Sequence, residues 1–449
     1  MLAALSLVVI AATWVLVILQ VDPVPTWFYV FAWYPTLVVL DQAASSMWRR
    51  PPVLSTRSAL SLFAWSPVIW LLFEAANFRL RNWYYVFLPG ALPERWIGIL
   101  LSFATVLPAL VLATRLLEAA GVGHEWRWRP LRTKPWHLAA AQVAGIVMAL
   151  LALIQPTVFF PLIWGAAWLI FDPFVYRRNR EWSLLHDIER GEWGRIGRIM
   201  LGGLFIGFLW EFFNFWARGR WIYTVPWLEH TKFFEMPPLG FVGFPLFALE
   251  AWAIYHALCC LRVALPPGGE TRLPHARVVS TAVAAIFFAA LVLGGMERWT
   301  ISSTAPRIAE VPGLTPDEVV RLEEGGLASP FRVARSTPTA LAERTGIRPA
   351  DAYRVVESVR LVTLSGIGTE HARSLHAVGT VTVCGLARRS PVPLWRAVHE
   401  ARADGAAHPR ESLGDFLPPS GRPTQAEVRV WVGAARRACS LRFLVTHSE

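Results

Sequence analysis

Apolar runs of membrane-spanning length recur through the first three hundred residues and then stop. A helix needs about 20 mostly apolar residues to cross a hydrocarbon core roughly 30 Å thick. Nine runs qualify, at residues 2–20, 27–47, 58–77, 96–117, 137–155, 157–176, 195–216, 238–262 and 276–296. No span centre shows a paired Gly and Pro, as the discontinuous helices of transporters often do. The first run lacks a basic leading segment, and "VILQVDPVP" offers no small-x-small cleavage site, so it reads as a span and not as a signal peptide. From about Ile301 the pattern changes to short amphipathic stretches separated by Gly and Pro. Thr315 and Glu318 form a capping box with Pro316 at the first helical position. Further helices are predicted at about 338–344, 350–361, 369–377, 392–402 and 424–438. The expectation is an all-α chain: a polytopic membrane domain of about nine helices followed by a small all-helical soluble domain.

One pattern in the apolar part occurs twice. "FAWYPTLVVLDQ" (Phe31–Gln42) parallels "LIWGAAWLIFDP" (Leu162–Pro173), so that Trp33 and Trp164 each precede an aspartate, Asp41 and Asp172, by eight residues. A basic loop and another span follow each aspartate, ending in Glu74-x-x-Asn77-Phe78 and Glu211-x-x-Asn214-Phe215. Then come Trp83-x-Tyr85 with Pro89, and Trp221-x-Tyr223 with Pro226. The repeat is four spans, and an even number gives both copies the same orientation, related by a pseudo-two-fold along the membrane normal. The expected divisions are repeat 1 over 1–135, repeat 2 over 136–265, a ninth span and linker over 266–300, and the soluble domain over 301–449.

Carboxylates within the spans are the positions that could do chemistry, because a charged one at mid-bilayer costs roughly 3 kcal/mol. They are Asp41, Asp172, Glu74, Glu211 and Glu250. Glu211 and Asn214, at i and i+3, share a helix face, so the amide can orient the carboxylate. Glu250 lies in "FPLFALEAWAIYHAL" with His256 further along, whereas the first copy is apolar there, "LPALVLATRLL". Simpler roles compete. Asp41 and Asp172 stand near basic loops, Trp221 and Tyr223 suit an interfacial aromatic belt, Glu211 with Asn214 suits helix packing, and His256 suits a packed core.

Composition agrees with the apolar pattern: 54% hydrophobic residues and 17% charged, against about a quarter charged in soluble domains. The formal net charge of +11 is mostly a topology signal. Basic residues cluster at Arg49, Arg50 and Arg57; at Arg127, Arg129, Arg132 and Lys134; at Arg177, Arg178 and Arg180; and at Arg262, Arg272 and Arg277. With nine spans these clusters share one side, which the positive-inside rule makes cytoplasmic. The chain is thus expected in a cell membrane, the inner membrane in a bacterium. Of the four cysteines, Cys259 and Cys260 are adjacent in a span, and neither they nor Cys384 and Cys439 form a C-x-x-C. No disulfide framework, zinc site or other cofactor is suggested.

The segment "GRWIYTVPW…LGFVGFPLFALEAWAIYH" (Gly219–His256) resembles the pattern of the membrane carotenoid-modifying enzymes, the heterodimer-type lycopene cyclases and the bacterioruberin-pathway hydratases. There an acidic residue precedes a G-x-W/Y-x-Y segment, and a G-x-P opens the next span; here Glu211, Trp221, Tyr223, Gly243, Pro245 and Glu250 take those positions. The cyclases carry adjacent carboxylates soon after the proline, where this chain has one glutamate five residues on. The resemblance implies protonation of an isoprenoid double bond to a carbocation, followed by cyclisation or hydration. Glu211, Glu250, Asp172 and Asn214 are then the catalytic candidates. Trp221, Tyr223, Glu74, Asn77, Trp83 and Tyr85 are the substrate-binding candidates, and a lipid-phase small molecule is the substrate.

In the soluble part, "VTLSGIGTEHARSLHAVGTVTVCGLARRSP" (Val362–Pro391) resembles a helix-hairpin-helix module, with "VPGLTPDEVVRLEEGGLAS" as a weaker upstream copy. The resemblance implies tandem modules that hold a partner through the Gly366–Gly368 turn. Glu370 follows that turn, which favours a protein partner or homo-oligomerisation over weak nucleic-acid binding. The alternative to an enzyme is a transporter or a membrane scaffold.

Overall fold

The computed structural model describes residues 1–225, 231–403 and 422–446. The chain forms two compact units. The first comprises Met1–Asn82, Pro93–Ala217 and Val225–Met296, and the second comprises Trp83–Leu92, Arg218–Thr224 and Glu297–Glu449.

The first unit is helical throughout. Its helices are α1 (Leu2–Ile18), α2 (Val24–Trp48), α3 (Arg57–Leu80), α4 (Leu92–Phe103), α5 (Val106–Ala119), α6 (Pro135–Ile154) and α7 (Pro156–Phe159), then α8 (Ala166–Arg178), α9 (Leu184–Arg190), α10 (Gly194–Trp216), α11 (Gly243–Cys260) and α12 (His275–Trp299). Among the described residues, seven segments are long and apolar enough to cross a membrane: Arg57–Leu80, Leu92–Ala119, Pro135–Ile154, Pro156–Arg178, Gly194–Trp216, Pro238–Cys260 and His275–Trp299. This is the composition of a multi-pass membrane protein. Two expected spans fall outside that set. α1 is apolar but only 17 residues long, and α2 is 25 residues long but carries Asp41, Gln42, Ser45 and Ser46 in its second half. α5 packs on α2, α3 and α10, and α11 packs on α8, α10 and α3, so these two helices form the centre. Small residues permit the closest approach. An added Cβ would lie 2.6 Å from Ala248 at Gly203 and 2.2 Å from the Phe244 ring at Gly207, so α11 rests directly on the α10 backbone.

Two expected spans are not continuous helices: the 96–117 run divides into α4 and α5, and the 157–176 run is broken near its start. Between α7 and α8 the chain passes through a short 3-10 segment, Phe160–Ile163, and Gly165 takes φ 100° before α8 begins. Pro161 and Gly165 bracket the break, which lies near the start of the expected 157–176 run. In the first half Tyr34 stands after Trp33 where Gly165 stands after Trp164, and α2 runs on unbroken.

Two aspartates close loops in the same way. Asp41 accepts the backbone N–H of Val53 at 2.9 Å and of Leu54 at 2.8 Å, twelve and thirteen residues ahead. Asp172 accepts those of Leu184 at 3.0 Å and Leu185 at 2.8 Å, with the same separations, and the Ser183 hydroxyl at 2.8 Å. Each carboxylate therefore does for the following loop what a helix cap does for a helix. Beyond the second loop, Arg195 forks onto Asp187 at 2.6 and 2.7 Å, tying α9 to the start of α10. Burial pushes the Asp187 carboxyl above its ordinary value, with Arg195 opposing the shift.

The chain is mostly helical, as the all-α expectation has it, and the second unit adds one short two-stranded ribbon. β1 (Trp83–Val86) pairs antiparallel with β2 (Arg220–Tyr223), matching Trp83 with Tyr223, Tyr84 with Ile222 and Tyr85 with Trp221. Residues 300–305 run parallel along the other edge of β1: Thr300 accepts the Tyr85 amide at 2.8 Å, and Tyr85 accepts the Ser302 amide at 2.9 Å. The remaining helices are α13 (Pro316–Glu324), α14 (Pro330–Arg335), α15 (Pro338–Thr345), α16 (Pro349–Thr363), α17 (Gly368–Ala377), α18 (Val383–Ala387), α19 (Pro391–Ala403) and α20 (Gln425–Thr446). Thr315 and Glu318 do form the capping box at the start of α13. The helices enclose a core that includes Leu322, Val355, Val359, Leu375 and Trp431. Cys384 and Cys439 are joined in a disulfide between α18 and α20, a pairing that the sequence spacing did not suggest.

Two expected outcomes test these contacts. Gly207→Leu forces α11 away from α10 and lowers stability by about 1–3 kcal/mol, whereas Gly294→Leu, with nothing within 4 Å of its added Cβ, shifts it little. Thermal unfolding in detergent reads both, and equal Tm values would refute the close approach. Asp172→Ala strands three donors and Asp41→Ala two, at about 1–3 kcal/mol for each buried group left unpaired. Asp172→Ala is therefore the less stable variant. An Asp172→Ala protein with wild-type Tm and lost activity would instead make this carboxylate catalytic.

Candidate functional site

Three carboxylates, Glu74, Glu211 and Glu250, are fully buried within the helices of the first unit. Periodicity puts them there. Glu74 follows Trp70 by one helical turn and Glu250 follows Phe247 by three residues, so these two acids share a helix face with their rings, whereas Glu211, directly after Trp210, stands about 100° further round α10.

Those rings form one cluster. Trp70 lies 5.3 Å from Phe247 and 6.4 Å from Trp210, centre to centre. Phe73 lies 5.1 Å from Phe247 and stacks on Trp164 at 5.7 Å. Trp210 lies 5.9 Å from Phe247 and 6.2 Å from Trp33. Separations of 4.5–7 Å in tilted and edge-on arrangements are the favourable ones for aromatic pairs, each contributing about 0.5–1.5 kcal/mol beyond area burial.

The acids are held differently. The Trp70 indole N–H donates to Glu74 Oε1 at 2.8 Å. Glu250 Oε1 accepts the backbone N–H of Ala167 at 2.9 Å, the second residue of α8. A helix interrupted inside a span exposes N–H groups that hydrocarbon cannot satisfy, and Glu250 supplies the acceptor from across the helix interface, at the positive end of the α8 dipole. Its other oxygen, Oε2, is buried without a hydrogen-bond partner, as is the Trp210 Nε1–H. An added Cβ at Gly165 would meet nothing within 4 Å, so there is room beside the break.

The other expected site residues are placed elsewhere or have structural work. Asn214 is fully buried one turn after Glu211, as their spacing requires. Asn77 accepts the Asn82 amide at 2.9 Å and shapes the exit from α3. Asp172 is engaged by the loop it closes. Trp83, Tyr85, Trp221 and Tyr223 lie on the β1–β2 ribbon, in the second unit, and Pro226 lies outside the described residues. His256 is a packed histidine: its Nδ1 is 2.9 Å from the Trp252 carbonyl and its ring stacks on Trp252 at 4.1 Å. Gly366 and Gly368 face the ribbon segment. An added Cβ would lie 2.2 Å from Val86 at Gly366 and 2.6 Å from Ser303 at Gly368, so the turn expected to meet a partner is filled by the chain's own strand.

Sequence reasoning missed the rings Trp70, Phe73, Trp210 and Phe247. Their spacing from the three glutamates was the available signal. Among the described residues, no group of three or more His, Cys, Asp or Glu is placed to hold a metal ion.

A family model described as a domain of unknown function (DUF4332) matches residues 312–438, the helical part of the second unit, where a helix-hairpin-helix module was expected. No curated protein and no solved structure matches the chain. The match leaves the spans, and with them the candidate site, outside the family's reach.

Proposed function

We propose that the first unit is a membrane enzyme performing acid–base chemistry on an apolar isoprenoid or polyene lipid. The observation that carries this reading is the setting of Glu250: one oxygen fixed by the α8 amide, the other buried and unpaired, beside the Trp70, Phe73, Trp164 and Phe247 rings. A carboxylic acid kept from water by apolar walls serves as a proton donor near neutral pH. Aromatic faces stabilise a developing cation by about 0.5–2 kcal/mol each. Glu250 is then the acid, Glu211 with Asn214 and Glu74 line the same ring cluster, and loss of a proton or capture of water completes cyclisation or hydration. We further propose that the two halves are copies of one four-helix repeat. The matching Asp41 and Asp172 loops support this, and so do the corresponding pairings of α5 and α11. The second unit is proposed as an interaction module for a protein partner or a second copy. Its Gly-Ile-Gly turn packs on Val86 and Ser303, which argues against a phosphate ligand there.

A second reading, transport of a small solute, is favoured by one observation. The interrupted span with a helix N-terminus inside it is how many transporters bind solutes.

The test is turnover of a panel of polyenes and isoprenoid alcohols by the full-length protein in lipid nanodiscs, read by mass spectrometry. Wild type is expected to convert one member of the panel, and Glu250→Gln to do so 10²–10⁴-fold more slowly, the usual contribution of a general acid. Conversion unaffected by both Glu250→Gln and Glu211→Gln would remove these carboxylates from the chemistry. No conversion of any member, with uptake of a solute into proteoliposomes, would favour transport.

A further inference from the structure

We infer that the second unit, built from residues 83–92, 218–224 and 297–449, stands on the non-cytoplasmic side of the membrane, in an oxidising compartment. The first argument is parity. Backbone hydrogen bonds join β1 to β2 and β1 to residues 300–305, so all three stretches share one side. Four of the apolar segments lie between β1 and β2: Leu92–Ala119, Pro135–Ile154, Pro156–Arg178 and Gly194–Trp216. Two more, Pro238–Cys260 and His275–Trp299, lie between β2 and residue 300. Both numbers are even, as full crossings require, and a re-entrant segment among them would separate strands that are in fact paired.

The second argument gives the side. The opposite ends of these helices carry the basic clusters at 49–57, 127–134, 177–180 and 262–277, thirteen Arg and Lys in all. The ribbon-side ends carry seven, Arg79, Arg81, Arg95, Arg218, Arg220, Lys232 and Arg298. That excess places the clusters in the cytoplasm and the second unit across from it. The Cys384–Cys439 disulfide is an independent third argument, since such bonds persist in oxidising compartments and are kept reduced in the cytosol. The bond fastens α20, the last helix of the unit, to α18, so it works as a staple in that compartment. A partner of this unit is accordingly an exported or extracellular molecule.

The test uses the full-length protein in intact cells and a membrane-impermeant maleimide. Tyr353→Cys and Trp128→Cys place single new thiols at exposed positions, 59% and 73% accessible, in the second unit and in a basic loop respectively. Tyr353→Cys is expected to label in intact cells, and Trp128→Cys only after permeabilisation. In wild-type protein denatured without reductant, Cys384 and Cys439 are expected to resist alkylation until dithiothreitol is added. Labelling of Trp128→Cys in intact cells, or ready alkylation of both native cysteines without reductant, overturns the assignment.

Discussion

A peptide N–H has no partner in hydrocarbon, and the arrangement of the first unit follows from how one such group is satisfied. The break before α8 frees amides inside a span, and Glu250 takes up the one at Ala167. That contact requires α11 to lie against α8, which places Phe247 among Trp70, Phe73 and Trp164. α11 also rests against α10, where Gly203 and Gly207 leave no side chain between them. Under the proposed duplication, the first half makes the same point by omission. α2 continues through the equivalent position with Tyr34 and Pro35, and the helix in the place of α11 is apolar where Glu250 would stand. Break and carboxylate occur together or are both missing, as expected if each makes the other tolerable.

Charge in a span is therefore a weaker sign of chemistry than unspent bonding capacity. Asp172 is as buried as Glu250, yet its two oxygens accept two amides and a hydroxyl. A carboxylate so engaged has both oxygens committed to the loop it closes. Glu250 has spent one oxygen and kept the other. The difference decides which acid is the candidate, and composition could not have revealed it.

Much of the fold was legible because the period of apolar residues is a one-dimensional signal. The spans from α3 onward and the capped start of α13 follow directly from it. What was not legible depended on contacts between distant residues. The break at Gly165 has its cues in Pro161 and Gly165, four residues apart, but a run that stays apolar through them reads as continuous. The Cys384–Cys439 pair spans 55 residues, and only the packing of α18 on α20 brings it together. Trp-x-Tyr was seen as a repeated element, but a four-residue strand buried on both faces carries no alternation to distinguish it from an interfacial belt.

If the two halves are copies, as proposed, that ribbon preserves a motif and changes its role. The register pairs the tryptophan of each copy with the tyrosine of the other, Trp83 with Tyr223 and Tyr85 with Trp221, around a central Tyr84–Ile222 pair. Such an exchange is what a two-fold axis through the centre would produce, and it is self-complementary in the sense of an isologous interface. A single helical domain cannot meet both copies equally. Residues 300–305 and the Gly366 turn both choose β1. Trp83 and Tyr85 are consequently 4% and 5% exposed, while Trp221 and Tyr223 remain half-buried. The same three-residue pattern serves as core in one copy and as a partly open edge in the other. The asymmetry comes from what packs on the ribbon, since the pairing within it treats both strands alike.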